Sequence, residues 1–250
     1  MKSLVRIAIA CASIGLAVAA VAAPQGPTTV VLVHGAFADG SAWNKVVPRL
    51  QEKGLKVVSV QNPLTSLADD VAATRRVLDA QTGPVVLVGH SWGGVVISEV
   101  GEHERVKSLV YVAAFAPAVG QSATDLSKDY PAPVGLAHLV ADKEGFLTMT
   151  PEDIAHHFAQ DLPAAETRLM AVTQGPVRGA NFDEKTTHAA WKTRPSWFVL
   201  TRQDHMIQPA LQESMARNIG ANVVSVASSH VPQQSHPEVV VDAILAAASR

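Results

Sequence analysis

The chain has 250 residues, a formal net charge of −2 and 48% hydrophobic residues. This length suits a single α/β domain with a sizeable core, and the composition excludes a disordered chain. Because the lysines and arginines are scattered rather than clustered, the sequence indicates no nucleic-acid partner.

The N-terminus has the pattern of an export signal. Lys2 and Arg6 precede an apolar stretch, Ile7 to Val21, that ends in small residues. This is typical of a secretory signal peptide, assigned to residues 1–23, with an uncleaved membrane anchor as the alternative. The single cysteine, Cys11, lies inside this segment. We therefore expect a periplasmic or secreted protein with no disulfide, no cysteine nucleophile and no stable membrane association.

The first half of the remaining chain, residues 24–250, alternates strands and helices. Short apolar runs rich in β-branched residues predict buried strands at 29–33, 55–60, 85–88 and 106–114. Helices are predicted at 42–53, after Ser66 and after Gly94. Near-continuous apolar strands separated by helices predict a parallel sheet covered on both faces.

This alternation stops at about residues 117–194, which begin with several prolines and continue as short amphipathic pieces without a clear strand. We interpret the segment as a helical cap over the strand ends. Its apolar side chains could line a pocket or form the cap's own core: Phe146, Leu147, Met149, Phe158, Met170, Phe182 and Trp191. The sheet is predicted to resume with strands at 196–201 and 221–226 and helices at 209–219 and from Pro237.

Residues 84–94, PVVLVGHSWGG, place Ser91 between a buried strand and a helix. A serine at such a sharp turn has a strained backbone and an exposed hydroxyl. Residues two before and two after it approach closely, and the sequence has Gly89 and Gly93 there. The pattern G-x-S-x-G alone is weak evidence for a nucleophile, since it also occurs in glycine-rich turns whose serine has no catalytic role. The flanking strand and helix favour a nucleophile.

A serine nucleophile needs a neighbouring base, and the base needs an acid to orient it. Carboxyl ends of parallel strands share one edge, where sites are built. Asp204 comes three residues after the strand at 196–201, and His230 comes just after the last predicted strand. We predict these as acid and base. No acid follows the strand at 106–114 until Asp125, so that alternative position is empty. Asp183 and Glu184 are interpreted as surface charges of the cap, and His236, the rival base, as a capping or solvent-facing residue.

Acyl transfer also needs two N–H donors aimed at the developing oxyanion. Trp92 follows the nucleophile and is one predicted donor; Ala36, in the loop after the first strand, is the other, with Phe37 second. Gly35 would let this loop approach the serine. We also expect Phe37 and His205 to contact substrate.

The other histidines indicate no metal site. His34 and His90 flank turns and are expected to hydrogen-bond to backbone. His156 and His157 are adjacent on a predicted cap helix, so their side chains point in different directions. No H-E-x-x-H or similar set of ligands occurs in the sequence. We expect neither a metal nor a cofactor.

The segments VLVHGAFADGSAW, LVGHSWGG, TRQDHMI and SSHVPQQSHPE resemble the α/β-hydrolases. The resemblance is to the branch of plant methyl-ester esterases, hydroxynitrile lyases and their bacterial relatives. It covers nearly all of residues 29–248 and is weakest in the cap. It implies a mostly parallel sheet with a helical cap inserted after the sixth strand. It also implies serine esterase chemistry: Ser91 attacks, His230 transfers the proton and Asp204 orients His230, without a cofactor.

The lyases of that branch are the nearest alternative. They carry Thr where this chain has Gly35, and Lys where it has Val231. The absence of this threonine and lysine favours an esterase that cleaves a small or medium carboxylic ester through an acyl-enzyme. Hydrolase-fold dehalogenases and epoxide hydrolases use an aspartate nucleophile, which Ser91 argues against. A lactonase, a cofactor-free perhydrolase and a hydrolase-fold binding protein stay open as alternatives.

Overall fold

The computed structural model describes residues 26–249, so the predicted signal peptide at 1–23 lies outside the described residues. In chain order its strands are β1 (Thr29–Val33), β2 (Lys56–Val60), β3 (Val85–His90), β4 (Val106–Val112), β5 (Val140–Ala141), β6 (Phe146–Thr148), β7 (Val177–Arg178), β8 (Ser196–Thr201) and β9 (Asn222–Val226). Six of them form the central sheet, in the order β2-β1-β3-β4-β8-β9.

All pairings in the central sheet are parallel, as predicted. Every residue of β1, β3 and β8 is buried, because both faces of the sheet are covered. The edge strands β2 and β9 are mostly exposed or half-buried. The register pairs Val33 with Gly89 and His90 with Val112, so the carboxyl ends of β1, β3 and β4 meet beside Ser91.

The α-helices are α1 (Val47–Glu52), α2 (Leu67–Asp79), α3 (Gly93–Val100), α4 (Ala123–Ser127), α5 (Pro151–Asp153), α6 (Ala164–Thr173), α7 (Pro209–Asn218), α8 (Pro232–Ser235) and α9 (Pro237–Ala248). One face of the sheet packs against α2, α3 and α7, and the other against α1 and α9. None of the helices between residues 26 and 249 has the length and apolar character needed to cross a membrane.

The helix predicted at 42–53 is interrupted in the structure. Gly40–Trp43 forms a 3-10 turn, and α1 begins only at Val47. Pro48 explains the late start, since proline lacks an N–H and fits only the first turn of a helix. The helix predicted after Ser66 is α2, and the Ser66 hydroxyl caps it by accepting the Asp69 N–H.

The segment between β4 and β8 forms the cap, and here two expectations change. The cap is not purely helical: β5, β6 and β7 form an antiparallel sheet, which was missed because strands of two or three residues carry no periodic signal. The cap also follows β4 rather than a sixth strand, because the described residues contain only four strands of the central sheet, β1 to β4, before the cap. After α5 the chain continues as a π-helix, Ile154–Phe158.

Candidate active site

Ser91 occupies the turn between β3 and α3 with a φ of +53°, a left-handed conformation that is strained for a residue other than glycine. Its N–H donates to the Val112 carbonyl at 3.2 Å. Its carbonyl accepts the N–H groups of Gly94 at 3.0 Å and Phe115 at 3.2 Å. These bonds hold the strained turn, and the side chain borders a cavity under the cap.

The glycines around Ser91 are required by close backbone contacts. A Cβ atom on Gly89 would lie 2.5 Å from the Gly93 carbonyl oxygen, and one on Gly93 would lie 2.5 Å from the Val33 oxygen. The predicted approach of these two glycines is therefore confirmed. Gly94 is equally constrained, because its Cβ would lie 2.1 Å from the Phe115 carbonyl oxygen.

Asp204 and His230 meet at the same sheet edge. Asp204 follows β8 by three residues and His230 follows β9 by four. His230 Nδ1 lies 2.8 Å from Asp204 Oδ2, and both side chains are almost fully buried. Since the carboxylate accepts a hydrogen bond from Nδ1–H, the Nε2 atom of His230 is left available. His230 and Ser91 border the same cavity.

The carboxylate of Asp204 is held by further donors. Its Oδ1 accepts the N–H groups of Met206 at 2.7 Å and Ile207 at 2.9 Å. Its Oδ2 also accepts the Thr201 hydroxyl and the Gln212 amide, each at 2.8 Å. Burial alone would raise its pKa. The attraction of His230 and these hydrogen bonds outweigh burial and hold the pKa below its ordinary value.

Thr201 and Gln212 were not identified from the sequence. Gln212 lies on α7, eight residues after Asp204, and no motif indicates that its side chain turns back to the acid. Asp204 therefore stays ionised and fixed in orientation, as a partner of a protonated Nδ1 must be.

His90 holds the loop that carries His230 through a hydrogen bond. Its Nε2 donates to the His230 carbonyl oxygen at 2.8 Å, which confirms the expected bond to backbone. Burial, and then the nearby His230, lower the pKa of His90 to about 3, so the ring is neutral. Phe158, from the π-helix of the cap, packs against the His230 ring at 5.2 Å between centroids. The imidazole of His230 is thus held on two sides.

The loop after β1 lies directly against the serine. A Cβ atom on Gly35 would be 2.7 Å from Ser91 Cβ, so position 35 has no room for a side chain in this conformation. His34 anchors the loop: the Asn62 N–H donates to its Nε2 at 2.9 Å, so its Nδ1–H donates to the Gly35 carbonyl at 2.9 Å. The His34 bond to backbone was expected.

Ala36 and Phe37, the next residues of this loop, border the cavity beside Ser91. Phe37 has a φ of +57°, which marks the sharp turn at this point. Trp92 follows Ser91 at the N-terminus of α3, where the first N–H groups of a helix have no partner within the helix. The structure thus brings the predicted donor segments to the two sides of Ser91.

The cavity has a volume of about 280 Å³ and a mostly apolar wall. The wall includes three of the apolar cap residues noted in the sequence, Leu147, Phe158 and Phe182, and also Leu136 and Leu139. Phe146, Met149, Met170 and Trp191 are not part of this wall.

Two hydroxyl groups in the wall are already used as donors. Thr124 donates to the Phe182 carbonyl at 3.1 Å, and Ser127 donates to the Ala123 carbonyl at 2.9 Å. Away from Ser91 and His230, the wall therefore offers mainly apolar contact.

His205 does not contribute to this wall, contrary to the prediction. Its ring packs against His157 on the cap, with 3.3 Å between the Nδ1 atoms. Met206 and Ile207 line the cavity instead. The reason is that Asp204 Oδ1 binds the N–H groups of residues 206 and 207, which turns these residues, rather than His205, toward the cavity.

The rival acids and the rival histidine have other roles. Asp125 forms a capping box with Ser122 at the start of α4. Glu184 accepts the Leu67 N–H at 3.0 Å, and His236 Nδ1 lies 3.0 Å from the Ser235 hydroxyl oxygen. Asp183 ends a 3-10 turn of the cap. Across residues 26–249, no group of three or more His, Cys, Asp or Glu side chains could hold a metal ion.

Comparison with known proteins shows the family. The family model described as "Alpha/beta hydrolase family" matches residues 30–243, and the chain belongs to this family. Methylesterase 8 of Arabidopsis thaliana is 23% identical over 246 residues, spanning 88% of this chain and 89% of the relative. A pyrethroid hydrolase of Sphingobium wenxiniae is 26% identical over 245 residues, spanning 87% of this chain and 86% of the relative.

Solved structures agree with the fold. The crystal structure of a pyrethroid hydrolase from Sphingobium faniae superposes with a TM-score of 0.75 at 23% identity, covering 89% of this chain and 97% of the other. The predicted α/β-hydrolase fold is therefore confirmed. The predicted carboxylic-ester hydrolase is confirmed at the level of enzyme class, since the relatives are named as esterases and hydrolases.

Proposed function

We propose that this protein hydrolyses a small or medium, mainly apolar carboxylic ester through an acyl-enzyme formed on Ser91. One observation carries the proposal. Ser91, on its strained turn, and His230, bonded to the buried Asp204, border one apolar cavity. A nucleophile, a base and an orienting acid around a common space are the parts that serine hydrolases need.

In the acylation step, the Ser91 oxygen attacks the ester carbonyl carbon while Nε2 of His230 takes the hydroxyl proton. Asp204 keeps His230 in the tautomer with Nδ1 protonated and stabilises the imidazolium that forms. The carbonyl oxygen becomes an oxyanion, which the main-chain N–H groups of Trp92 and Ala36 would stabilise. The tetrahedral intermediate then collapses, and the leaving alkoxide takes the proton from Nε2.

Deacylation repeats the sequence with water. His230 takes a proton from a water molecule whose oxygen attacks the acyl carbon, and the Ser91 oxygen recovers the proton as the carboxylic acid leaves. His90 supports both steps because its low pKa keeps it neutral beside the imidazolium, so it adds no opposing charge.

Two positions favour ester hydrolysis over cyanohydrin cleavage on the same scaffold. Position 35 has no room for the threonine of the lyases, since any Cβ there would meet Ser91 Cβ at 2.7 Å. Position 231, where the lyases carry lysine, is an uncharged valine, so the site has no cation at that position to hold cyanide.

The test is the rate of p-nitrophenyl butyrate hydrolysis by Ser91→Ala. We expect a loss of at least about a thousandfold in kcat, because the remaining N–H donors and binding contacts cannot replace the nucleophile. Ser249→Ala, an exposed serine, is the matched control and should retain the wild-type rate. Wild-type activity in Ser91→Ala would refute the proposal.

We also propose that the enzyme acts outside the cytoplasm. The support is the charged start, apolar run and small-residue end of residues 1–23. Expression of the full chain in a Gram-negative host, followed by N-terminal sequencing of the periplasmic fraction, tests this. A mature terminus near residue 24 is expected, and full-length protein confined to the cytoplasm would contradict it.

A further inference from the structure

Asp70 is a buried acid next to the site that the sequence did not distinguish from its exposed neighbour Asp69. It lies on α2 with none of its surface exposed. Its Oδ1 accepts the Leu64 N–H at 2.8 Å, and its Oδ2 accepts the Trp92 indole Nε1–H at 2.7 Å. The carboxylate therefore connects α2, the loop after β2 and the turn that carries the nucleophile.

The ion pairs found between residues 26 and 249 do not include Asp70. Burial is the largest cause that raises the pKa of Asp70; the bonds from Trp92 and Leu64 oppose it, the charges of Asp69 and Glu184 add to it, and together they bring the pKa to about 6. Asp70 is therefore mostly ionised at neutral pH. A buried carboxylate without a cation depends on its hydrogen-bond donors, so both donors are held firmly in place.

Trp92 connects Asp70 to the reaction. Its side chain is fully buried, and its main-chain N–H, at the N-terminus of α3, is the oxyanion donor predicted next to Ser91. The indole also packs edge-on against Phe182 at 5.7 Å between ring centroids, and Phe182 is part of the cavity wall. The position of the indole therefore affects both the direction of the N–H group and the shape of the cavity.

Leu64 connects Asp70 to the cap. It has a φ of +60°, a conformation that a leucine keeps only when its surroundings impose it. Its N–H is bound by Asp70, and its carbonyl accepts the Arg178 N–H at 3.0 Å and the Asn181 side-chain amide at 3.1 Å. Arg178 belongs to β7, and Asn181 belongs to the 3-10 turn Gly179–Asp183, which also contains Phe182.

We propose that Asp70 is a positioning residue. It holds Trp92 where the main-chain N–H of Trp92 can donate to the oxyanion, and it connects Trp92 to the cap wall. Asp70 does not border the cavity and so acts through Trp92. The inference rests on the proposed function, because the oxyanion belongs to ester hydrolysis.

The test compares Asp70→Asn with Asp69→Asn, which removes the same charge one residue away on an exposed side chain. Asparagine keeps one acceptor oxygen but turns an NH₂ group toward the other donor. We expect kcat of Asp70→Asn on p-nitrophenyl butyrate to fall about tenfold or more with KM within about twofold, because a misdirected N–H weakens only the transition state. Asp69→Asn should keep both constants.

Trp92→Phe completes a double-mutant cycle, since it removes the indole N–H and keeps the main-chain N–H. If Asp70 acts through the indole, Asp70→Asn has little further effect on kcat in the Trp92→Phe background. If Asp70→Asn lowers kcat in the Trp92→Phe background by the same factor as in the wild type, the proposed action through the indole is overturned. Where Asp70→Asn does not fold, Trp92→Phe carries the test: a lowered kcat with unchanged KM supports the proposal, and wild-type kcat overturns it.

Indole N–H resonances in NMR spectra give a readout independent of turnover. The Trp92 signal, assigned by its loss in Trp92→Phe, should lie downfield in the wild type because the acceptor is charged, and move upfield in Asp70→Asn only. The outcomes separate the two claims. Wild-type kcat in Asp70→Asn beside an inactive Ser91→Ala overturns the positioning role alone, whereas an active Ser91→Ala overturns the proposed function and the positioning role with it.

Discussion

Three buried titratable side chains near Ser91 have pKa values that their surroundings shift in different directions. Asp204 is kept ionised because the attraction and hydrogen bond of His230, with the N–H groups of Ile207 and Met206, outweigh burial. His90 is kept neutral by burial, and Asp70 has a raised pKa. Environments that separate the pKa values of neighbouring groups are typical of sites where proton transfer is assigned to one of them. Here the proton transfer would belong to His230.

Replacing Asp204 by Asn should lower kcat about a thousandfold to ten-thousandfold, because an amide no longer enforces the His230 tautomer with a proton on Nδ1. Steady-state hydrolysis of p-nitrophenyl butyrate measures the effect. Asp242→Asn, on the exposed side of α9, is the matched control and should be unaffected. A loss of less than tenfold in Asp204→Asn would contradict the assigned role of the acid.

The raised pKa of Asp70 predicts a pH-dependent stability. The folded protein binds the Asp70 proton more tightly than the unfolded chain, whose ordinary value is 3.8, so stability falls as pH rises from about 4 to about 6 and stays lower above. The total change is roughly 3 kcal/mol at most. Asp70→Asn lacks this titration.

Urea unfolding of the wild type and Asp70→Asn at a series of pH values isolates that effect. The free energy of unfolding of the wild type, minus that of the variant, should decrease between about pH 4 and pH 7. A difference that does not change with pH would mean that the Asp70 pKa is not raised.

At the scale of the elements, the site depends on how closely β1, β3 and α3 approach one another. A Cβ atom on Gly35 would overlap Ser91, and one on Gly93 would overlap the carbonyl oxygen of Val33 at the end of β1. Neither position has space for a methyl group, so the loop with the proposed oxyanion donor is kept within reach of Ser91. The same closeness makes both positions sensitive to the smallest substitution.

Gly35→Ala should therefore lower kcat/KM at least about a hundredfold, because the new methyl group pushes the loop with Ala36 away from the oxyanion. Gly220→Ala is the control: its Cβ meets nothing within 4 Å, and its φ of +61° brings only a stability cost of about 1 kcal/mol. Ester hydrolysis and thermal unfolding of both variants provide the comparison. Wild-type activity in Gly35→Ala would contradict the close approach.

The elements that could be predicted from the sequence are those with a sustained pattern. β1, β3 and β8 are continuous apolar runs, and α2 has a clear cap and apolar face. The strands β5 to β7 are held by pairing between distant segments, which leaves no local signal. The existence and type of these elements follow from local physics, whereas the start of α1 and the pairing inside the cap do not.

The site shows the same division between local and distant information. Ser91, Asp204 and His230 follow strand ends and could be placed by chain order. The side-chain directions at residues 205 to 207 depend on hydrogen bonds to Asp204, so they could not be predicted from chain order. Asp70 was missed although a signal existed, since it lies three residues after Leu67 on the apolar face of α2.

For the whole molecule, the cap converts an open sheet edge into a cavity of about 280 Å³, near the small end of ligand pockets. Its wall combines the loop after β1, the turn after β8 and five separate parts of the cap: α4, residues 136–139, β6, the π-helix and the 3-10 turn that contains Phe182. We therefore expect the cap to set the substrate size and the residues at the sheet edge to carry out the proposed chemistry.

Leu147→Ala should move the preference of the enzyme toward longer acyl chains, because Leu147 is part of the cavity wall and its truncation adds space. The ratio of kcat/KM for p-nitrophenyl octanoate to that for the acetate measures the preference and should rise. Leu169→Ala, at a side chain of α6 that is 62% exposed, is the control and should leave the ratio unchanged. An unchanged ratio in Leu147→Ala would show that this side chain does not limit substrate size.

The central claim is that the ester's acyl group is transferred to Ser91. The most direct measurement mixes the enzyme with p-nitrophenyl butyrate, quenches with acid within milliseconds and maps the protein by mass spectrometry. We predict one added butyryl group on the peptide that contains Ser91, and none in Ser91→Ala. A butyryl group on another residue, or turnover without any acylated enzyme at any time point, would contradict the claim.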